Sequence, residues 1–367
     1  MKKMLSLAAM FAVLSYASPA SAELKIGGDA AVRLRSEFTD TETNNVKTSN
    51  TDELKLQYKI RLKASADLGS GYFFKTLIQN ETYPGSWVTV AGNPGNNDDH
   101  YALEVSNFYF GRVMECSHYQ IGRLPLNSVN NPIFDLTLVP IPSGPIYAVD
   151  IPVATYSFDR VFGLNYGTKV GNGDLNATLV VLDNDITLGD TAAEGDGIFN
   201  DGYALHLAYK TSIGDITLEP QALIALTDVD GGAYQNVSPN TFGANVTIPA
   251  GKSKIGMSGF YTVCDDTNPN TNAKVDYNGY LLRLKGESGP VMAWVDYNHT
   301  NDNSPVTDVD YDNLFVWAQY NFKVHESAMG SFSLTPTVRY RASGKDNGLT
   351  ETDNNQLRGE LYATVTF

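Results

Sequence analysis

Cysteine, cationic residues and long apolar runs are all scarce in this chain. Two cysteines among 367 residues cannot supply a disulfide framework or a structural zinc site. Lys and Arg total 26 against 41 Asp and Glu, and the resulting formal charge of −15 excludes a nucleic-acid-binding surface. Beyond residue 22 no apolar run reaches the roughly 18 residues of a transmembrane helix, which excludes a helical membrane bundle.

Aromatic residues and glycine, in contrast, are plentiful. The 21 Tyr and 16 Phe argue against intrinsic disorder, because such a chain can bury enough apolar surface to fold. Charged residues make up only 18% of the chain, and there are 32 glycines. This composition favours β-structure joined by tight turns.

The first 22 residues have the pattern of an export signal. Lys2 and Lys3 precede an apolar run over 4–16, and the tripeptide at 20–22 reads Ala-Ser-Ala. A positive start, a short apolar core and small residues before the cleavage point are typical of a secretory signal peptide. We therefore predict a signal peptide over 1–22 and a single mature domain over 23–367.

The stretch 54–64 alternates apolar and polar side chains without interruption. It reads LKLQYKIRLKA, so one face of an extended strand is apolar and the other carries Lys, Gln and Arg. Helical spacing would mix the two sets, and a strand is therefore predicted. Similar segments recur at 203–210, 333–341 and 357–367, with the length of about ten residues that a tilted strand needs to cross a bilayer.

Two kinds of connection separate these segments. Short Gly-centred turns, such as 67–71 and 171–174, alternate with long stretches rich in Asp and Asn. The predicted long loops are 39–53, 83–101, 125–153, 184–201, 228–240, 265–275, 300–311 and 344–356. Short turns on one rim and long loops on the other are typical of an outer-membrane barrel.

We therefore predict an all-β fold, a transmembrane antiparallel β-barrel of sixteen strands with short periplasmic turns and long extracellular loops. The predicted strands are 24–38, 54–67, 71–82, 102–114, 117–124, 153–167, 174–183, 202–213, 215–227, 241–250, 252–264, 276–287, 290–299, 312–325, 331–343 and 357–367. Fourteen or eighteen strands are the alternatives. A soluble all-β protein would bury its apolar face and rarely keeps its long loops on one edge.

The polar face of a barrel strand points into the lumen, and here that face is basic over several strands. Barrel closure places the last strand beside the first, so these cations are predicted to form one continuous wall. The predicted wall residues are Arg33, Arg35, Lys55, Lys59, Arg61, Lys63, Lys75, Arg339, Arg341 and Arg358. The alternative is that they are merely solvated lumen residues without a common role.

Loop 125–153 differs from the other long loops in being apolar and rich in proline. It holds six prolines and only two charged residues, Asp135 and Asp150. Proline lowers the entropic cost of a fixed path, and an apolar loop is poorly placed in free solvent. We predict that this third loop folds into the lumen and narrows it. A position on the outer rim or against a neighbouring subunit is the alternative.

Two segments resemble a known family. The stretch 105–112 (VSNFYFGR) and, after a short turn, 119–123 (YQIGR) resemble the fourth and fifth strands of the Gram-negative general porins. The terminal Phe367, preceded by alternating apolar residues, is similar to the assembly signal of that family. The resemblance implies a trimeric, sixteen-stranded channel whose third loop carries acids that face wall arginines.

Within that resemblance Arg123 matches the family position at the end of the fifth strand, which implies that Arg123 also belongs to the basic pore wall. Other cations, such as Arg33 and Arg61, match only as members of a basic wall. The loop departs from the family pattern, because Asp135 and Asp150 replace an acidic, Gly-rich cluster. This departure argues against strong cation selectivity, and we expect weak anion preference or near neutrality.

The resulting functional expectation is a porin of the bacterial outer membrane, through which small hydrophilic solutes and ions diffuse passively. No enzymatic activity, cofactor or metal is expected, since the five histidines share no ligand spacing. The expected partners are outer-membrane lipid and lipopolysaccharide, and two further copies of the chain in a homotrimer.

Two other functional classes stay open. A substrate-specific channel for a sugar, an organic acid or a phosphate would need an aromatic track inside the barrel. The candidates for such a track are Phe108, Phe110, Trp294, Phe315 and Trp317. An outer-membrane hydrolase would need a nucleophile paired with a histidine near the outer rim, and the sequence offers no evident pairing.

Overall fold

Antiparallel strands account for most of the chain that the computed structural model describes. Among these residues no helix is long and apolar enough to cross a membrane. The described residues are 23–80, 87–90, 103–126, 130–134, 160–183, 201–231, 234–268, 272–304 and 308–367. The proposed signal peptide over 1–22 lies outside them.

Sixteen strands form the wall of a barrel, as the alternation predicts. They are β1 (Glu23–Thr43), β2 (Val46–Gly69), β3 (Tyr72–Gln79), β4 (Glu104–Val113), β5 (Ser117–Pro125), β6 (Arg160–Val170), β7 (Gly173–Asp183), β8 (Gly202–Ile213), β9 (Ile216–Ala225), β10 (Asn240–Ala250), β11 (Ser253–Thr267), β12 (Lys274–Ser288), β13 (Val291–Asp302), β14 (Val309–Tyr320), β15 (Gly330–Asp346) and β16 (Glu351–Thr366).

Two further short segments pair with the same neighbours as the strands that precede them. Beyond β3, the short segment Val88–Thr89 pairs again with β2. Beyond β14, the segment Phe322–Ser327 pairs with β15. A separate hairpin, Val229–Gly231 with Tyr234–Val237, lies outside the barrel sheet.

The barrel closes where the last strand pairs with the first. β16 runs antiparallel to β1 from Asp29 opposite Thr366 to Thr43 opposite Thr352. The seam is completed by the backbone of Phe367, whose amide donates to Gly28 over 3.1 Å and whose carbonyl accepts from it over 2.8 Å. A closed sheet leaves no edge strand to pair with another chain.

Side-chain exposure separates the two faces of each strand. On β2, Leu54 and Leu56 are 72% and 46% exposed, whereas Gln57 on the opposite face is buried. On β1, Val32 and Leu34 are exposed and Arg33 between them is fully buried. Because apolar residues cover the outside and polar residues the inside, the outer surface suits lipid and the lumen suits water.

Two stretches predicted to be long loops are strands instead. β1 and β2 extend through most of 39–53 and are joined by the two residues Asn44 and Asn45, whose φ angles are 49° and 62°. β15 and β16 likewise cover most of 344–356. The prediction failed because apolar alternation stops where a strand leaves the lipid, while backbone pairing continues beyond that height.

Candidate pore lining and constriction

The barrel seam concentrates arginines around one carboxylate. Glu360 on β16 accepts a hydrogen bond from Arg35 Nε over 2.6 Å, and it forms ion pairs with Arg339 Nε at 2.7 Å and Arg33 Nη1 at 3.3 Å. Register explains the meeting, because Arg35 lies directly opposite Glu360 in the pairing of β1 with β16. All four side chains are buried.

A second carboxylate, Glu37 on β1, extends this cluster towards the rim of long loops. Arg358 Nε lies 2.5 Å from Glu37 Oε2, and Arg35 Nη1 lies 3.8 Å from the same oxygen. Arg341 is buried next to them and donates to Ser343 Oγ over 3.1 Å. We call these residues the arginine cluster: Arg33, Arg35, Arg339, Arg341 and Arg358 with Glu37 and Glu360.

The cations of β2 and β3 face the same lumen but are more exposed. Side-chain exposure is 33% for Lys55, 36% for Arg61 and 60% for Lys63. Lys59 is half-buried and Lys75 is exposed. Arg61 Nε donates to Asp29 Oδ1 over 2.8 Å, and Lys63 Nζ lies 3.8 Å from Asp29. These five cations, the lysine-rich tier, are the wall charges that a solute in the lumen can approach.

Arg123 occupies the opposite face of the wall from the one predicted. It lies directly opposite Phe108 on β4 and Phe162 on β6, and both phenylalanines are exposed on the outer surface. Its guanidinium carbon lies 5.7 Å from the centre of the Phe162 ring. The inner face of β5 carries His118 and Gln120 instead, so Arg123 is not a pore-lining residue.

The start of loop 125–153 lies inside the barrel. Asn131 Nδ2 donates to Gln221 Oε1 on β9 over 3.0 Å, and Asn131 Oδ1 accepts from Asn245 Nδ2 on β10 over 3.2 Å. Asn130 Oδ1 accepts from Lys285 Nζ on β12 over 2.5 Å. These three partners all project from the inner face, which confirms the inward path for the described part of the loop.

Apolar contacts anchor the same segment. Ile133 and Phe134 are almost completely buried, and the Phe134 ring lies 5.3 Å from the ring of His206 on β8. They pack on inner-face residues of six strands, Val161, Val180, Ala204, Leu223, Phe260 and Leu281. The loop is thereby held to the wall opposite the arginine cluster. Asp135 and Asp150, the predicted constriction acids, lie outside the described residues.

Aromatic residues line part of the lumen, a feature only partly visible in the sequence. Trp294 on β13 stacks on Trp317 on β14, with ring centres 4.6 Å apart and planes inclined by 13°. Phe315 completes this buried group, so three of the five candidate aromatic residues face inward. Phe108 and Phe110 are exposed on the outer face, and they do not belong to a lumenal track.

One inner ion pair was missed by the sequence analysis. Arg283 on β12 makes two hydrogen bonds to Asp296 on β13, of 2.5 Å from Nε and 2.8 Å from Nη2. Both side chains are buried. The signal was present, because Arg283 and Lys285 alternate with the exposed Leu282 and Leu284.

Histidine and carboxylates meet on the outer face of the barrel, near the rim of long loops. His299 Nδ1 lies 3.0 Å from Asp312 Oδ1, and the Tyr297 hydroxyl donates to the same oxygen over 2.5 Å. His299 therefore has a positioned partner, contrary to expectation from sequence. In the described residues no three His, Cys, Asp or Glu side chains are grouped as metal ligands.

The separate hairpin, whose Val237 packs on inner-face residues such as Tyr277 and Tyr311, lies near another carboxyl group. Asp228 precedes this hairpin, and burial, reinforced by the nearby carboxylate of Asp266, raises the pKa of its side chain. Asp266 itself accepts from the amide and hydroxyl of Ser238. Mild acid should therefore neutralise Asp228 before an ordinary exposed aspartate.

A closed barrel with an apolar outer surface, a charged lumen and an inward loop defines a channel that spans a membrane. The family profile of the Gram-negative porins matches residues 6–331. The chain belongs to this family, and it is an outer-membrane channel for small solutes.

Solved structures with the same fold come from several bacteria. The outer membrane channel DcaP of Acinetobacter baumannii is 12% identical, with 95% of this chain and 99% of that chain covered and a TM-score of 0.56. The anion-selective porin from Comamonas acidovorans is 11% identical, with 94% and 100% covered and a TM-score of 0.54. The outer-membrane expressed OmpT of Vibrio cholerae is 10% identical, with 94% and 97% covered and a TM-score of 0.52. A comparison with curated protein sequences gave no match.

Proposed function

We propose that this porin is a weakly anion-preferring diffusion channel, narrowed between the arginine cluster on one wall and loop 125–153 on the other. The observation that carries the proposal is the inward path of residues 130–134, opposite a basic wall. Solutes pass by diffusion, and the narrowest section of such a pore decides which sizes and charges pass easily.

Two parts of the wall contribute differently to charge preference. The arginine cluster is buried and engages Glu37 and Glu360, so it acts mainly as a fixed positive field. The lysine-rich tier is more exposed and can contact a passing anion directly. Its Lys63 side chain is 60% exposed. Negative charges at the mouth act less on the pore, because open water at physiological salt screens them within about 8 Å.

Reversal potentials across a potassium chloride gradient test this proposal. Purified protein in a planar bilayer should carry chloride modestly better than potassium. Strong potassium selectivity would refute the charge assignment, although the channel itself would stand. The Comamonas acidovorans porin is described as anion-selective, but the proposal here depends on the wall residues of this chain.

We propose a homotrimer as the assembled form. The outer face along the seam carries the small residues Ala30 and Gly359, which permit close approach of a neighbouring barrel. Gel mobility in detergent tests this directly. The unheated protein should run as a species of about three chains, and the boiled protein should run as a single chain. The full chain has a mass of 40.0 kDa. A monomer-sized band without heating would contradict the trimer.

We further propose that the mature protein begins at Glu23, after removal of residues 1–22. The mass of protein isolated from the outer membrane tests this. Contact with lipopolysaccharide is proposed for the carboxylates Asp310 and Asp312, on the outer face near the rim of long loops, through bridging divalent ions. Chelation of divalent ions should then release bound lipopolysaccharide from the purified protein.

A passive role, without catalysis, is part of the proposal. The pair of His299 and Asp312 is the strongest catalytic candidate in the described part of the chain. The residues directly opposite His299 on the neighbouring strands are Tyr280 and Asp312, and neither is a serine, threonine or cysteine nucleophile. Ester hydrolysis that disappears in His299→Ala would overturn the assignment.

A further inference from the structure

All three tryptophans of the chain face the lumen. Trp294 and Trp317 form the stacked pair on β13 and β14, and Trp87 precedes the short segment beyond β3. The ring of Trp87 contacts Arg33, Lys59 and Tyr362, which are all inner-face residues. A water-filled lumen does not require large aromatic side chains, so their shared position calls for an explanation.

Arginines connect these rings into one continuous stack along the wall. The guanidinium carbon of Arg339 lies 3.8 Å above the ring of Trp317, and Arg339 also donates to the Tyr362 hydroxyl. Arg33 lies between Tyr362 and Trp87, at 5.6 Å and 4.4 Å from their ring centres. Guanidinium groups over aromatic faces are attractive contacts, strongest when they are removed from water.

Most residues of this stack are buried, and the end at Trp87 is less buried. Trp294, Trp317, Arg339 and Arg33 are all at most 9% exposed, so they act as a scaffold. Trp87, in contrast, is half-buried.

A cation lies beside the half-buried Trp87. Lys59 is also half-buried, and its ammonium nitrogen lies 5.8 Å from the Trp87 ring centre. Arg33 holds the indole from one side, while Gln57 fixes Arg33 through two hydrogen bonds of 3.0 Å and 2.6 Å to one oxygen. The result is a positioned aromatic surface beside an approachable positive charge.

We propose that Trp87 and Lys59 form a transit site for aromatic carboxylates, a refinement that rests on the proposed diffusion channel. The ring of the solute would stack on the exposed part of Trp87, and its carboxylate would meet the Lys59 ammonium. Neutral sugars are a poorer match, because they carry no negative charge to pair with the Lys59 ammonium. A flat ring and one negative charge together fit this site.

Current block in a planar bilayer tests the site with two matched probes. Benzoate and cyclohexanecarboxylate have the same charge and nearly the same size, and only benzoate has an aromatic ring. In the wild-type channel benzoate should reduce the chloride current at about fivefold lower concentration, the advantage expected for one aromatic contact. Equal block by the two probes would overturn the transit site while leaving the channel intact.

Variants locate the effect. Trp87→Leu should abolish the difference between the two probes, whereas Phe110→Leu, which removes an exposed ring on the outer face, should preserve it. Lys59→Gln should weaken block by both carboxylates and keep their ratio. If the fivefold difference survives Trp87→Leu, the assignment to Trp87 is wrong.

The wild-type comparison does not depend on whether a variant folds. A wild-type protein that shows heat-modifiable gel mobility, and is therefore folded, but carries no current would overturn the proposed channel and the transit site with it. A conducting channel with equal block would overturn the transit site alone.

Discussion

Arg35 donates a hydrogen bond of 2.6 Å to Glu360, although 325 residues separate them along the chain. The contact crosses the seam where β16 pairs with β1. The full arginine cluster therefore forms only when the barrel closes. Four arginines in the described residues converge on two buried carboxylates, Glu37 and Glu360. With an open seam, Arg33 and Arg35 on β1 would lose Glu360, and Arg358 on β16 would lose Glu37.

Glu360→Gln should destabilise the barrel and increase its anion preference. Removing one partner of a buried ion pair costs about 3–5 kcal/mol, because the remaining charge stays desolvated. Three arginines lose a carboxylate in this variant. The measurements are the denaturation midpoint in detergent and the reversal potential in a salt gradient.

Glu326→Gln is the matched control for this prediction. It changes the total charge equally, but Glu326 is exposed and forms only a surface pair with Lys323. Surface pairs contribute little to stability, so the control should behave like the wild type. Equal midpoints for both variants would show that Glu360 does not support the seam.

Phe134→Ala should release the loop from the wall and enlarge the pore. Replacement of a buried phenylalanine by alanine costs about 3–5 kcal/mol of packing, and here that packing joins loop 125–153 to the barrel. Single-channel conductance should rise and become noisier, and larger sugars should enter proteoliposomes. Phe242→Ala, at an exposed position on the outer face, should leave both properties unchanged. A normal exclusion limit in Phe134→Ala would place the constriction elsewhere.

Lys63→Gln should reduce the preference for chloride. The side chain is exposed in the lumen, and a unit charge about 10 Å from a passing ion contributes about 0.4 kcal/mol in water-like surroundings. The variant removes this attraction for chloride and an equal repulsion for potassium. The ratio of chloride to potassium permeability should therefore fall by up to about fourfold at low salt and by less at high salt. Lys323→Gln, exposed at the rim of short turns, is the control. A ratio that is independent of Lys63 would argue against the lysine-rich tier.

Gly71→Ala should impair assembly far more than Gly214→Ala. Both glycines lie in short turns with positive φ, of 81° and 60°, so both substitutions carry the same kind of backbone strain. At Gly71 an added Cβ would also lie 2.1 Å from the Val113 carbonyl oxygen, whereas nothing lies within 4 Å at Gly214. The yield of heat-modifiable barrel after refolding measures the difference. Equal yields would contradict the close approach at Gly71.

Several features of the pore follow from alternation alone. The sequence 54–64 correctly assigns Lys55, Lys59, Arg61 and Lys63 to one face, because side chains of an extended strand alternate regardless of its partners. The same rule places Arg123 on the outer face with Tyr119 and Ile121. The prediction for Arg123 was wrong because a match in position to a family does not fix the face of the strand, whereas alternation does.

Other features are invisible to a local pattern. Nothing near residue 87 in the sequence indicates that Trp87 contacts Arg33, because Trp87 lies outside β3 and its alternation. The inward path of loop 125–153 was predicted from its apolar composition, but the side chains that hold it, Asn131 and Phe134, could not be identified. Their partners belong to strands far along the chain, including β9 and β12.

The amino-acid sequence thus determined which side of the wall most residues occupy, because the two-residue period is a property of the extended backbone itself. Tertiary structure decided which of those residues meet across strands. Arg35 reaches Glu360 rather than another acid because sheet closure sets the register of β1 against β16. That register depends on all sixteen strands together, and no single segment encodes it.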